Sequence, residues 1–257
     1  DFESKWNDIK IVIEYGMLSE EKFMDKADGF AMYPTIDGQF YTWTELEEKL
    51  KPNQTDKDGT FVVLYASDQD AQHSYIQAAK EKGYEVLLLD SPIVAHLMQK
   101  LETTKEKVHF ARIDTDPIDK LIKKTDDTIS KLSDEQKDTL KSKIEAVVAS
   151  KEYTVQMEAM DSSAAPFMIT EPEFMRRMKE MQQTGGGGMF GLGNMPDMYQ
   201  LVVNTNHPLI TEILEAKTDK KQEKLIAQSV DLAKLSKGLL KGAALTDFIQ
   251  RSYSLIK

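Results

Sequence analysis

Apolar and polar residues recur at regular spacings along the first part of the chain, and these spacings predict its first secondary-structure elements. Apolar residues recur at helical spacing from Phe2 to Ile13, and Gly16 follows as a predicted helix end. The β-branched run within the same stretch also fits a strand, so both interpretations stay open. Thr44 is predicted to cap a short helix over 45–50, and a polar loop is predicted over 52–59.

Apolar runs then alternate with amphipathic segments. The pattern predicts, in order, strand 60–65, helix 69–82, strand 84–89, helix 92–101 and strand 108–113. Two strands joined by a helix of this length form a parallel, right-handed β–α–β unit. We therefore expect residues 1–116 to form a small three-layer α/β subdomain.

Residues 117–132 are charged and polar, and we interpret them as a linker between two domains. Helical and strand patterns both follow, so we expect a mixed α+β domain over 133–257 that ends in a helical bundle. Its predicted elements are helix 133–149, strand 153–157, strand 166–170 paired with it, helix 172–183, strand 199–204, and helices 208–216, 220–237 and 245–256.

Methionine and glycine are concentrated in one segment of this second domain. Nine of the 13 Met lie between Met157 and Met198, and four consecutive Gly follow the predicted helix 172–183. Phe174, Met178 and Met181 share one face of that helix. Because Met repacks against apolar partners of many shapes, the segment is typical of a surface that holds other polypeptides. Most amphipathic helices bury such a face in their own core, and that alternative stays open.

The last two predicted helices each carry a wide apolar face. Either these faces pack onto their own domain, or they meet a second copy in a two-fold four-helix bundle. The pattern alone favours neither, because an amphipathic face does not identify its partner.

Composition narrows the classes of function. The net charge of −10 argues against binding to nucleic acid phosphates. The chain has no Cys and four scattered His, so we expect no metal site. No apolar run approaches the roughly 20 residues that span a bilayer, so we expect no membrane contact. The chain begins at Asp1 within a helical pattern, and we expect it to be a fragment of a longer protein.

A parallel β–α–β unit raises the alternative of an α/β enzyme that binds a nucleotide or another small molecule. The loops that follow the two strands are not glycine-rich, and Asp68 and Ser91 within them are interpreted as helix caps. The glycines at 186, 188 and 191 match a dinucleotide pattern, but they follow a helix, so we reject that site. We predict no catalytic residues in this chain.

Several segments together resemble the heat-shock protein 90 chaperone family, bacterial HtpG type. They are FVVLYASDQDAQHSYIQAAKEKGYEVLLLDSPI, EPEFMRRMKEMQ, YQLVVNTNHPLITEIL and LTDFIQRSYSLI. Together these segments span nearly the whole chain. Their order matches the last part of that family's middle domain followed by its C-terminal dimerisation domain.

The resemblance implies a molecular chaperone of the heat-shock response in the bacterial cytoplasm. It implies a homodimer that binds unfolded or partly folded client proteins and forms the hinge of an ATP-driven clamp. ATP and magnesium are implied for the intact protein, whose ATPase domain lies outside this chain, and no cofactor or metal is implied within it.

The resemblance also assigns roles to residues. The implied client-binding residues are Phe174, Met175, Met178, Met181, Met189, Phe190 and Leu192. The implied dimerisation residues are Leu232, Leu235, Leu239, Leu245, Phe248, Ile249, Ser252, Tyr253 and Ile256.

Overall fold

The computed structural model describes residues 2–124, 128–184 and 197–255, except for the side chains at 181–184 and 255. These residues form two compact units. Unit 1 contains the described residues up to 124 together with 173–184, and unit 2 contains 128–172 and 197–255. The predicted domain boundaries at 116 and 132 stay predictions, but helix 173–184 lies in unit 1 although its sequence neighbours belong to unit 2.

Unit 1 is a three-layer α/β structure. Its helices are α1 Trp6–Ser19, α2 Glu21–Ala27, α3 Trp43–Gln54, α4 His73–Glu81, α5 Val94–Thr104 and α6 Ile118–Leu121, with α8 Glu173–Thr184 added from later in the chain. Its strands are β1 Tyr33–Pro34, β2 Phe40–Tyr41, β3 Phe61–Ala66, β4 Leu87–Leu88 and β5 Val108–Arg112. The strands β4, β3 and β5 form a parallel sheet in that order, which confirms the β–α–β prediction.

Helix α1 continues through the glycine that the sequence pattern predicted as its end. It runs to Ser19, so the strand alternative for its β-branched run is also wrong. A Cβ atom at Gly16 would lie 2.9 Å from a ring carbon of Phe23. Gly16 therefore allows the close approach of the α2 ring to α1, instead of terminating the helix.

Helix α3 differs from its prediction at both ends. Its N-cap is Thr42, not Thr44, and Thr42 and Glu45 form a reciprocal capping box. The helix includes Pro52 and continues to Gln54, so the predicted loop begins later than expected. Gln54 explains the extension, because its buried side chain donates to the Val62 carbonyl at 3.1 Å and accepts from the Glu85 N–H at 2.8 Å.

The core of unit 1 lies between the parallel sheet and the helices on its faces. Its largest fully buried side chains include Trp43, Tyr65, Phe61 and Phe110. The Trp43 ring lies 5.7 Å from that of Tyr33 in an edge-on arrangement and anchors the β1–β2 hairpin to this core.

Unit 2 is a mixed α+β structure. Its helices are α7 Asp134–Val148, α9 Pro208–Leu214, α10 Asp219–Ser236 and α11 Gly242–Leu255, and its strands are β6 Tyr153–Glu158, β7 Phe167–Thr170 and β8 Tyr199–Asn204. The sheet order is β6, β8, β7, with β8 parallel to β6 and antiparallel to β7. The predicted pairing of β7 with β6 is therefore wrong, because β8 lies between them. The α/β and α+β fold classes are confirmed.

Two asparagines, one at the end of β8 and one two residues beyond it, hold the loops of unit 2 together. The Oδ1 atom of Asn204 accepts from the N–H groups of Met160 at 3.2 Å and Asn206 at 3.1 Å. The side chain of Asn206 accepts from the Lys131 N–H at 2.7 Å and donates to the Met160 carbonyl at 3.1 Å. Both residues are buried, so these amides satisfy loop backbone groups that would otherwise be buried without partners.

We expect Asn206→Ala to lower the free energy of unfolding of unit 2 by about 3 kcal/mol. The change leaves several buried backbone groups without partners, each at a cost of about 1–3 kcal/mol. Urea denaturation followed by far-ultraviolet circular dichroism measures the change. The exposed amide of Asn7 provides the control, and Asn7→Ala should change stability by less than about 0.5 kcal/mol. Equal stabilities of the two variants would contradict this account.

Candidate functional site

Helix α8 carries the segment that the sequence analysis singled out. It begins at Glu173, directly after Pro172, with an acidic residue in its first turn. The carboxylate of Glu173 pairs with the guanidinium groups of Arg176 and Arg177, at positions i+3 and i+4. The local sequence therefore builds a helix in which one carboxylate aligns two arginines.

Arg176 is buried, with only 2% of the residue exposed. Its Nε atom donates to Glu173 Oε2 at 3.1 Å, and its Nη2 atom donates to the Tyr65 hydroxyl on β3. Its Nη1 atom lies 2.6 Å from Glu180 Oε1, close enough for an ion pair although without hydrogen-bond geometry. The buried positive charge is thus compensated by two carboxylates and a hydroxyl.

Arg177 joins α8 to α5 and to the edge of the sheet. Its Nη1 and Nη2 atoms donate to the two carboxylate oxygens of Glu102 at 2.7 and 3.1 Å, in a bidentate arrangement. Nη2 also donates to the Phe110 carbonyl at 2.6 Å. Glu102 in turn accepts from the Phe110 N–H at 2.7 Å. The Glu102–Arg177 pair therefore satisfies both backbone groups of one edge residue of β5.

The pKa of Glu102 reflects these contacts. Burial acts to raise it, but hydrogen bonds from His109, Arg177 and the Phe110 N–H lower it to about 2. Because this pKa is lower than the ordinary carboxyl value of 4.5, the contribution of Glu102 to stability is fully present above about pH 4.5 and is lost as the pH falls towards 2. Burial acts to lower the pKa of Arg177, but the carboxylates of Glu102 and Glu173 raise it.

The ionic contacts extend beyond α8 along β5. The Nη1 atom of Arg112 lies 3.4 Å from Glu180 Oε1, and its Nε atom lies 2.6 Å from Asp114 Oδ1. Asp114 also accepts from Gln72 Nε2 at 2.8 Å. We call the set Tyr65, Glu102, Arg112, Glu173, Arg176, Arg177 and Glu180 the ionic network.

The apolar side of α8 faces away from this network. Phe174 is 71% exposed, and Met175 and Met178 are half-buried. Phe174 therefore does not belong to the core, so the alternative in which the helix buries its apolar face is wrong for this residue. Met181 lies in α8, but its side chain is outside the described part of the structure, and Met189, Phe190 and Leu192 lie outside the described residues.

Sequence reasoning missed the partners of the α8 arginines. The i, i+4 spacing of Glu173 and Arg177 was visible, but Glu102 lies on α5 and Tyr65 on β3. The sequence around Glu102 or Tyr65 gives no local sign that either residue contacts an arginine on a helix far along the chain.

The predicted dimerisation residues divide into an exposed and an inward-facing set. Tyr253 is 68% exposed, and Leu232, Leu235 and Ile249 are also exposed. Leu239, Leu245 and Ser252 are half-buried, Phe248 is buried at 7% exposure, and Ile256 lies outside the described residues.

Polar contacts fix α11 against α10. Arg251 pairs with Asp231 and donates from Nε to Gln228 Oε1 at 2.8 Å. Gln228 donates to the Ser252 hydroxyl at 3.0 Å. With Phe248 packed inward, this arrangement leaves Ile249 and Tyr253 on the outer side of α11.

Polar groups at the carboxyl ends of β3 and β4 serve the local fold. Asp68 accepts from the N–H groups of Asp70 at 3.0 Å and Ala71 at 2.9 Å, as expected for a turn cap. Ser91 accepts from the Ile93 N–H at 3.4 Å. His207, another candidate considered for chemistry, caps α9 by accepting from the Leu209 N–H at 3.0 Å. Each of these side chains therefore makes a local capping contact.

Metal-ligating side chains do not gather into a group of three anywhere in the described ranges. Among the helices described, none combines the length and apolar character needed to cross a bilayer.

Comparison with known proteins agrees with the resemblance. A family model described as Hsp90 protein matches residues 1–256. Proteins named chaperone protein HtpG from Bacteroides thetaiotaomicron and Porphyromonas gingivalis are each 36% identical, over 99% of this chain and 47% of their own length. A protein of the same name from Alcanivorax borkumensis is 25% identical over 91% of this chain and 36% of its own. The chain spans about half the length of the curated relatives it matches first. It belongs to the Hsp90 family.

Proposed function

We propose that this chain supplies the client-binding and dimerisation surfaces of a bacterial cytoplasmic chaperone. The observation that carries the proposal is the orientation of α8, which faces its arginines inward and Phe174 outward. An exposed aromatic side chain with half-buried Met side chains beside it forms an apolar surface that adapts to many partners. An unfolded polypeptide, with its own exposed apolar residues, has the complementary chemistry.

The exposed residues of α10 and α11 support homodimerisation. Leu232 and Leu235 are one helical turn apart, and so are Ile249 and Tyr253. A two-fold interface brings the same exposed residues from both copies together. The inward position of Phe248 restricts the proposed contact to these four residues and their half-buried neighbours.

Nucleotide chemistry is not assigned to any residue of this chain. Relatives about twice as long offer room for an ATP-binding domain, and ATP and magnesium belong to the proposal for the intact protein only. In that protein, a dimer formed through this chain would hold two arms at high effective concentration, as a clamp requires.

We expect Phe174→Ser with Met178→Ser to weaken binding of an unfolded client by roughly tenfold or more. Fully burying one large apolar side chain contributes about 1.5–3 kcal/mol, and each factor of ten corresponds to about 1.4 kcal/mol. Suppression of citrate synthase aggregation, titrated with the chain, measures the loss, and sedimentation equilibrium checks that the oligomeric state is unchanged.

The control removes two exposed apolar side chains elsewhere in the same unit. Val12 and Tyr15 on α1 are both well exposed, so Val12→Ser with Tyr15→Ser changes surface apolarity by a comparable amount. Equal loss of suppression in both double variants would mean that general hydrophobicity, not α8, binds the client.

We expect Ile249→Glu with Tyr253→Glu to convert a homodimer into a monomer. Association would bring these carboxylates together and bury them, which costs far more than the apolar contact it replaces. Sedimentation equilibrium across protein concentration measures the change. Neither side chain is in the described core, so the circular dichroism spectrum should be unaffected.

Ala244→Glu is the matched control on the same helix. Ala244 is exposed on the side of α11 away from Ile249 and Tyr253, and a carboxylate near the helix N-terminus is tolerated. This variant should remain dimeric. A wild-type chain that stays monomeric at high concentration would refute dimerisation through α10 and α11.

A further inference from the structure

We propose that Arg176 and Arg177 are positioning residues that hold α8 as a helix with its apolar side outward, ready to bind a client. The inference rests on the proposed function, because it concerns how the same surface is prepared. Neither arginine needs to touch the client. Their role is to fix the helix to unit 1 through Glu102 on α5 and Tyr65 on β3.

Helix α8 is too short to be stable on its own. The helix has 12 residues, which is at the limit below which isolated helices are marginal in water. Phe174 faces outward, and Met175 and Met178 are only half-buried, so these side chains pack within the unit over part of their surface at most. The helix must therefore be stabilised by its inner side, which is the side that carries the two arginines.

The arginines also fix the orientation of α8 relative to the rest of unit 1. Arg177 contacts both carboxylate oxygens of Glu102 and the Phe110 carbonyl, and these three acceptors match the planar geometry of one guanidinium group. Arg176 reaches the Tyr65 hydroxyl from the same side of the helix. Rotating α8 to bury Phe174 would break all of these contacts and leave buried charges unpaired.

The same contacts also satisfy backbone groups at the edge of the sheet in unit 1. Phe110 lies in the edge strand β5, and its N–H and carbonyl groups are satisfied by Glu102 and Arg177. An edge strand without such partners presents unpaired backbone groups. Docking of α8 therefore supplies a donor to one backbone carbonyl at the sheet edge as well as orienting the helix.

The consequence for binding is preorganisation. A helix that is already formed and oriented loses less conformational freedom when a client binds than a segment that must fold at that moment. The ionic network should therefore strengthen client binding without contributing a contact to the client.

Glu102→Gln provides the sharpest test, because it breaks the network from α5 and leaves α8 unchanged. Glutamine keeps an oxygen that can accept from the Phe110 N–H but loses the charge that pairs with Arg177. Glu106→Gln, an exposed carboxylate just beyond α5, is the matched control. Arg177→Gln breaks the same pair from α8, and Lys179→Gln removes one positive charge from the exposed side of that helix.

Two measurements are needed for each variant. Hydrogen–deuterium exchange of the α8 amides reports whether the helix stays formed and docked, and titrated suppression of citrate synthase aggregation reports client binding. We expect Glu102→Gln and Arg177→Gln each to speed α8 exchange by roughly tenfold or more and to weaken suppression, because each removes the bidentate ion pair that joins α8 to α5. Both control variants should match the wild type.

Unchanged α8 exchange in both Glu102→Gln and Arg177→Gln would overturn the inference. Faster exchange with unchanged suppression would also overturn it, since docking would then be irrelevant to client binding. The Phe174→Ser, Met178→Ser variant separates this failure from failure of the proposed function. If that variant loses suppression while the network variants do not, α8 binds clients without being prepared by its arginines.

Discussion

The guanidinium groups of the buried Arg176 and the half-buried Arg177, on the inner side of α8, determine how the candidate site is arranged. A guanidinium group removed from water needs carboxylate and carbonyl partners in a defined geometry, or its burial costs several kcal/mol. Glu102, Glu173 and the Phe110 carbonyl supply these partners for Arg177. Apolar contacts tolerate rotation of the helix about its axis, whereas the hydrogen bonds and ion pairs of Arg177 do not. The charged side therefore decides which way the helix faces, and the exposure of Phe174 follows from it.

This arrangement explains why sequence reasoning identified the helix but not its orientation. The apolar period of Phe174 and Met178 predicts an amphipathic helix equally well whichever side is buried. The deciding partners lie far away in the chain, since Glu102 is 75 positions from Arg177 and Tyr65 is 111 positions from Arg176. Only the fold of unit 1 brings α5, β3 and α8 together, and no local sequence pattern predicts these tertiary contacts.

Elsewhere, the accuracy of prediction followed the range of the interactions involved. The β–α–β order depends on nearby residues, and the predicted parallel arrangement is confirmed. The predicted helix 133–149 begins with a capping box formed by Ser133 and Gln136, whereas the cap predicted at Thr44 lies two residues earlier, at Thr42. Gly16 was misjudged because its role depends on the Phe23 ring of another helix. The partner of β7 was misjudged because β8, which pairs with it, comes after α8 in the sequence. Tertiary contacts overrode a reasonable local expectation in both cases.

The two units combine polar contacts and exposed apolar groups in the same way. In unit 2, Arg251 and Phe248 fix α11 from within, while Ile249 and Tyr253 remain outside. In unit 1, Arg176 and Arg177 fix α8 while Phe174 remains outside. Single exposed apolar residues are ordinary, but pairs on anchored helices are candidate binding surfaces. Such surfaces also promote aggregation, and the net charge of −10 opposes it through repulsion between copies. The acidic composition is therefore compatible with the exposed apolar surfaces of the chain.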